Sequence, residues 1–181
     1  MRLTEGTIAG LFLVESPQHR DERGSFVRVF CRDAFHDAGI NFDPVQSNLS
    51  TNTHLHTLRG LHFQHPPFAE AKLVRCVAGR VWDVAVDLRP GPGFGRWQAE
   101  ELSAERANAV YLPEGLAHGF LTLTSEAVIL YEMGCAHVPG KAAGIRWDDP
   151  DLQISWPSQP CLMSPADAAW PLLQDFRHDR A

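Results

Sequence analysis

The sequence predicts an all-β domain, a sandwich or barrel with a few short helices. Three observations carry this. Short apolar or alternating runs recur along the chain, Gly, Pro and Asn separate them, and only two stretches read as helical. The strand runs fall at residues 11–15, 25–30, 72–77, 81–88, 109–112, 120–123 and 127–131. Arg89-Pro-Gly-Pro-Gly-Phe-Gly95 and Pro113-Glu-Gly115 are turn segments between them. One short helix is expected at 32–38. A second opens at Ser164-Pro-Ala-Asp167, with Ser as N-cap, Pro in the first turn and an acid three residues on. There is no internal repeat, low-complexity tract or linker, so residues 1–181 read as a single domain.

In the run Val81 to Asp87, strand alternation puts Trp82, Val84 and Val86 on one face. Asp83, Ala85 and Asp87 fall on the other. That second face is either solvated or the polar lumen of a small barrel. Periodicity does not choose between them.

Composition narrows the function. The formal net charge is -6, which argues against nucleic acid as the main partner because phosphate binding needs clustered Lys and Arg. No run of 18 apolar residues predicts a membrane span, and the first ten residues do not read as a secretory signal. Cys31, Cys76, Cys135 and Cys161 are widely spaced and form no C-x-x-C pair. Reduced cysteines in a cytoplasmic enzyme are the expectation.

The densest polar cluster is His54-Leu-His56-Thr-Leu-Arg59-Gly-Leu-His62-Phe-Gln64-His65, four of the nine histidines in twelve residues. His54, His56 and His65 read as surface or satisfied core residues. His62 differs, because it follows Arg59-Gly60 and shares a strand with Gln64. An Arg beside a His suits an anionic substrate: the guanidinium grips phosphate or carboxylate, and the imidazole titrates near neutral pH. A second segment, Pro113-Glu-Gly-Leu-Ala-His118-Gly-Phe120, sets a turn before a strand that begins at His118. Together the two segments resemble the paired motifs of the cupin fold. Metal-binding cupins commonly use His-x-His, a later Glu and a second-motif His. Here the pair reads His62-x-Gln64, with Glu70 and His118 following. Gln is a poor ligand for metals that suit imidazole, so no metal is expected.

The chain further resembles the dTDP-4-dehydrorhamnose 3,5-epimerase family. The resemblance is carried by Arg59-Gly-Leu-His62-Phe-Gln64, Lys72-Leu-Val-Arg-Cys76, Gly79-Arg-Val-Trp-Asp83-Val-Ala-Val-Asp87, Pro113 to Phe120 and Trp147-Asp-Asp149, and runs from about Gly10 to about Leu172. It implies a cupin jelly roll without cofactor or metal, a homodimer sharing an N-terminal strand, and a sugar-nucleotide substrate. The implied reaction inverts C3 and C5 of a 4-keto-6-deoxy sugar. Matched residue by residue, His62 is the base, Asp167 its orienting carboxylate, Lys72 the enolate stabiliser and Tyr131 the acid. Arg23, Gln46, Asn48, Arg59, His118 and Phe120 fall on substrate-contact positions. Without the resemblance, Asp167 reads as a capping acid, Lys72 as a solvated strand charge and Tyr131 as a half-buried aromatic. Single-centre epimerases, ketoisomerases, metal-dependent cupins and non-catalytic sugar-binding cupins are the alternatives.

Four departures from the family pattern concern substrate recognition. Arg28 stands where Glu is common, Ala142 near another such Glu, and Ala166 for a frequent Lys. The stretch from Tyr131 to His137 lacks the aromatics that usually follow the acid Tyr.

Overall fold

The computed structural model describes residues 1–178. In chain order the first strands are β1 (Arg2–Glu5), β2 (Phe12–Glu15), β3 (Gln18–Asp21), β4 (Gly24–Val27), β5 (Gln46–Asn52), β6 (Leu58–Gln64) and β7 (Lys72–Ala78). They are followed by β8 (Arg80–Asp87), β9 (Trp97–Ser103), β10 (Ala109–Leu112), β11 (Leu116–Thr122), β12 (Ala127–Met133) and β13 (Ala142–Gly144). The helices are α1 (Arg32–Asp37), α2 (Pro165–Ala168) and α3 (Leu173–His178). No helix among the described residues is long and apolar enough to cross a membrane.

A six-stranded sheet runs β1-β2-β10-β7-β12-β5, and a five-stranded sheet runs β13-β6-β11-β8-β9. From β5 to β13 the chain passes back and forth between them, the winding of a cupin jelly roll. All the ladders in both sheets are antiparallel. Strands β3 and β4 form a separate hairpin in which Phe26 is 72% exposed.

Three apolar clusters hold the layers. Between the sheets, Val74, Cys76 and Ile129 of the large sheet meet Val81, Ala85, Leu102 and Phe120. The outer face of the small sheet, including Leu61, Val84 and Val86, is covered by Ile145, Leu152, Leu173 and Phe176. Part of the large sheet's outer face packs Leu73 and Tyr111 on Phe35 of α1 and on Phe42. Burying Phe35 fully contributes about 2–3 kcal/mol, which explains how a six-residue helix stays docked. On β8, Val84 and Val86 point outward, while Ala85 and the buried Asp83 point into the barrel lumen.

One irregularity aims the functional side chains. Along a regular strand, Arg59 and His62 would face opposite ways. Strand β6 instead bulges against β11: His62 pairs with His118 and Arg59 with Phe120, three residues against two. The extra residue lets both side chains face inward. The bulge depends on two glycines. A Cβ on Gly60, whose φ is +127°, would lie 2.6 Å from the Gly119 Cα, and one on Gly119 would lie 2.7 Å from the Arg59 carbonyl oxygen.

Several strands were not legible as runs. These are β1, β3, β5, β9 and β13, whose sequences are polar or very short. Strand β11 begins at Leu116, ahead of both His118 and the run at 120–123, and β4 ends at Val27 rather than at residue 30.

Candidate active site

Inward-facing rows of the large sheet change character along their length. On β7 the row Cys76, Val74, Lys72 runs from apolar to charged, and on β12 Ile129 gives way to Tyr131. At the polar end the sheets enclose a cavity of about 410 Å³. Lys72, Tyr131 and Asn48 line it from the large sheet, and Arg59, His62, His118 and Phe120 line it from the small one. Base and acid candidates therefore stand on facing layers.

His62 Nε2 and Asp167 Oδ1 are 2.6 Å apart. The carboxylate accepts, so Nε2 carries the proton and Nδ1 is left as the nitrogen with a free lone pair. Asp167 reaches the site through its cap geometry. Ser164 Oγ accepts the Asp167 N–H at 3.0 Å, which starts α2 and directs the Asp167 side chain toward β6. Asp167 is thus both the third helical residue of a capped turn and the partner of His62. Burial alone would raise its pKa. The hydrogen bond and charge of His62, together with the Trp170 N–H and the Gly60 backbone N–H, outweigh burial and hold the carboxyl below its usual range.

Lys72 belongs to a sealed polar chain. Its Nζ lies 2.7 Å from Glu70 Oε1, with both side chains over nine-tenths buried. The other Glu70 oxygen accepts from Gln64 Nε2 at 2.6 Å, while Gln64 Oε1 accepts the Val138 N–H at 2.9 Å. His118 Nε2 lies 2.8 Å from Asp83 Oδ2, both buried. The side chains that a metal-binding cupin would enlist are thus each engaged with another protein group. Tyr131 stands edge-on to the His118 ring at 6.0 Å. Burial, reinforced by the charge of Asp83, pushes its phenol well above the ordinary range, and Arg59 opposes this only in part. Arg59 is itself steered by Asn52, whose Oδ1 accepts Arg59 Nε at 2.7 Å.

A base with an orienting carboxylate, a buried ammonium and a high-pKa phenol around one cavity are the parts needed to move a proton beside a ketone. Comparison with known proteins agrees. Residues 5–175 match the model of the dTDP-4-dehydrorhamnose 3,5-epimerase family. The chain belongs to that family. A dTDP-4-dehydrorhamnose 3,5-epimerase of Sinorhizobium fredii is 40% identical over 169 residues, 92% of this chain and 87% of that one. A dTDP-4-dehydrorhamnose 3-epimerase of Streptomyces niveus is 38% identical, covering 98% of this chain and 86% of that one. The crystal structure of a dTDP-6-deoxy-D-glucose-3,5-epimerase from Legionella pneumophila in complex with dTDP-4-keto-L-rhamnose superposes with a TM-score of 0.90 at 36% identity, covering 96% and 93% of the two chains.

Within this epimerase-family fold, two expected contact residues lie off the cavity wall. Arg23 sits on the β3–β4 hairpin, paired with Asp21 at 2.5 Å, and lines a separate surface hollow. Gln46 acts one step back: its Oε1 accepts the His137 N–H at 3.1 Å and its Nε2 donates to Asn48 at 3.0 Å. Of the atypical positions, Ala142 and His137 do line the cavity, whereas Arg28 lies beside Phe26 and Met1, and Ala166 is exposed on α2. Reading the sequence for function missed Glu70 as the partner of Lys72, and Asp83 and Asn52 as supports. The only available signal was for Asp83, from its alternation with Ala85.

Proposed function

We propose that this chain inverts C3 and C5 of dTDP-4-dehydro-6-deoxy-D-glucose, giving dTDP-4-dehydro-L-rhamnose. The observation that carries the reading is the His62–Asp167 pair facing Tyr131 and Lys72 across one cavity. His62 takes the proton from the carbon next to the ketone, and the electron pair moves onto the keto oxygen. Lys72 meets that oxygen with positive charge, a contribution of about 3 kcal/mol for one well-aimed donor group. Tyr131 then gives its proton to the opposite face of the same carbon, inverting it. Solvent reprotonates the phenolate and clears the imidazolium before the second centre turns over. Asp167 supports the imidazolium in between.

Arg59, His118, Asn48 and Phe120 hold the sugar nucleotide within the cavity, with Gln46 setting the position of Asn48. Arg23 faces away from this cavity, so its contact belongs to a homodimer in which the β3–β4 hairpin reaches the neighbouring protomer. Exposed Phe26, Val45, Leu49 and Val77 and the open edge of β5 support such an assembly. The protein works as one domain, without metal or cofactor, in the cytoplasm.

A single-centre epimerase is the second reading, favoured by the 38% identity to a 3-epimerase. Proton NMR in deuterated water with a panel of 4-keto sugar nucleotides separates the two. Deuterium at both C3 and C5 with inversion is expected. Deuterium at C3 alone selects the second reading, and uptake at neither position throughout the panel overturns both.

A further inference from the structure

Asp167 has a neighbour that the proton chemistry above leaves idle. Trp170 Nε1 donates to Asp167 Oδ1 at 3.2 Å, the same oxygen that receives His62 Nε2. The indole stands edge-on to the imidazole, with ring centroids 6.2 Å apart and planes at 76°. Room for it comes from β13. Gly144 is the register partner of His62, and a Cβ there would lie 2.5 Å from the indole Nε1 and Cε2. Any larger residue at Gly144 would push the ring off Asp167.

We propose that Trp170 is a positioning residue of the epimerisation, acting on His62 through Asp167. This rests on reading His62 as the base. Asp167 Oδ1 thus serves two donors at once. A fixed neutral N–H draws off part of the carboxylate's charge, so the same oxygen holds an imidazolium less tightly. The base is thereby kept able to release the proton it has taken. The indole also confines Oδ1 to one direction and shields the pair on one side. Other titratable groups around the cavity are Arg59 of β6, Lys72 and Glu70, His118 of β11, Tyr131 of β12 and His137 of the loop after it. None of them is recorded in hydrogen-bond contact with Asp167 among the described residues, whereas Trp170 is. Strand β13 contributes only Ala142, Ala143 and Gly144.

The test is Trp170→Phe, which keeps an aromatic wall and removes the donor. Asp167 then grips the imidazolium more firmly. The acid limb of kcat/KM against pH should move to higher pH by about half a unit, the scale of one neutral hydrogen bond. The His62 ring resonances, followed by NMR in unliganded protein, should move in the same direction. Gly144→Ala should reproduce the shift in the wild-type background and add nothing in Trp170→Ala. A Trp170→Phe protein that loses thermal stability with both titrations unmoved has lost packing only, and overturns the proposal. An NMR titration that moves while the kinetic limb stays fixed also overturns it, and in that case by showing that His62 is not the base.

Discussion

His62 and His118 are register partners across β6 and β11, and each directs Nε2 at a different carboxylate. The two pairs are chemically alike and differ in exposure. The His62 side chain is 42% exposed, that of His118 only 5%. A base that must shed protons to solvent between two inversions needs the first environment. A cavity-wall residue that keeps a buried Asp83 paired suits the second.

His62→Asn should lower solvent deuterium uptake at the sugar by about 10²- to 10⁴-fold, with a smaller stability loss than at His118 because the Trp170 N–H and the Gly60 backbone N–H still serve the Asp167 carboxylate. His118→Asn should cost more in stability. It leaves Asp83 buried without its imidazole partner, a loss of about 3 kcal/mol visible in urea unfolding.

Tyr131→Phe should separate exchange from inversion. Proton removal by His62 does not need the phenol, so deuterium should still enter the substrate while inverted product falls by about 10²-fold. Equal loss of exchange and product would assign Tyr131 to the removal step instead.

Asp167→Asn tests a linkage. The folded carboxyl sits below its ordinary value, so its stabilising effect is present above about pH 4 and is lost as pH falls toward the folded value. The melting temperature of the wild type should exceed that of the variant at pH 6, and the gap should close as pH falls below 4. A gap independent of pH would show that the carboxylate charge is not what stabilises the pair.

Glu70→Ala leaves Lys72 as a buried charge with no counter-ion and frees the amide of Gln64. About 3 kcal/mol of stability should be lost. Glu70→Ala/Lys72→Met should recover much of it without recovering activity.

Nucleotide discrimination should be weak. Ala142 lines the cavity near a position where the family resemblance implies a Glu, and Arg28 stands beside the hairpin where it implies another. Thymidine- and uridine-linked forms of the same 4-keto sugar should differ by less than about tenfold in kcat/KM. A strong thymidine preference that disappears in Arg28→Glu would show that Arg28 itself reads the base.

Arg59, His62, His118 and Phe120 were visible in the sequence because they lie in two compact motifs, whereas Asn48, Lys72, Tyr131 and Asp167 were singled out only by the family resemblance. The fold brings seven of them to one cavity wall, with Asp167 behind His62. What alternation misses is the bulge that turns Arg59 inward, because a register shift leaves no periodic trace beyond the Gly60 it requires. Glu70 was similarly hidden. It lies in the turn between β6 and β7, and only folding shows that its two oxygens join Lys72 to Gln64. Strand β5 escaped because its Asn48 and Ser50 line the cavity rather than an apolar core. Trp170 gave no signal, since a lone aromatic after a short helix reads as packing.

The contact of Gly60 with Gly119 has a consequence for how this chain can change. The two motifs are nearly sixty residues apart, yet their backbones touch where neither can accept a methyl group. They therefore vary as one unit. A chimera with a crossover between them inherits a working barrel only if both parents carry glycine at both places. A library that randomises either motif alone will be filtered first by this contact, before any selection for turnover begins. Diversity aimed at new substrates is better placed at Ala142 and His137, where the cavity wall is free of that constraint.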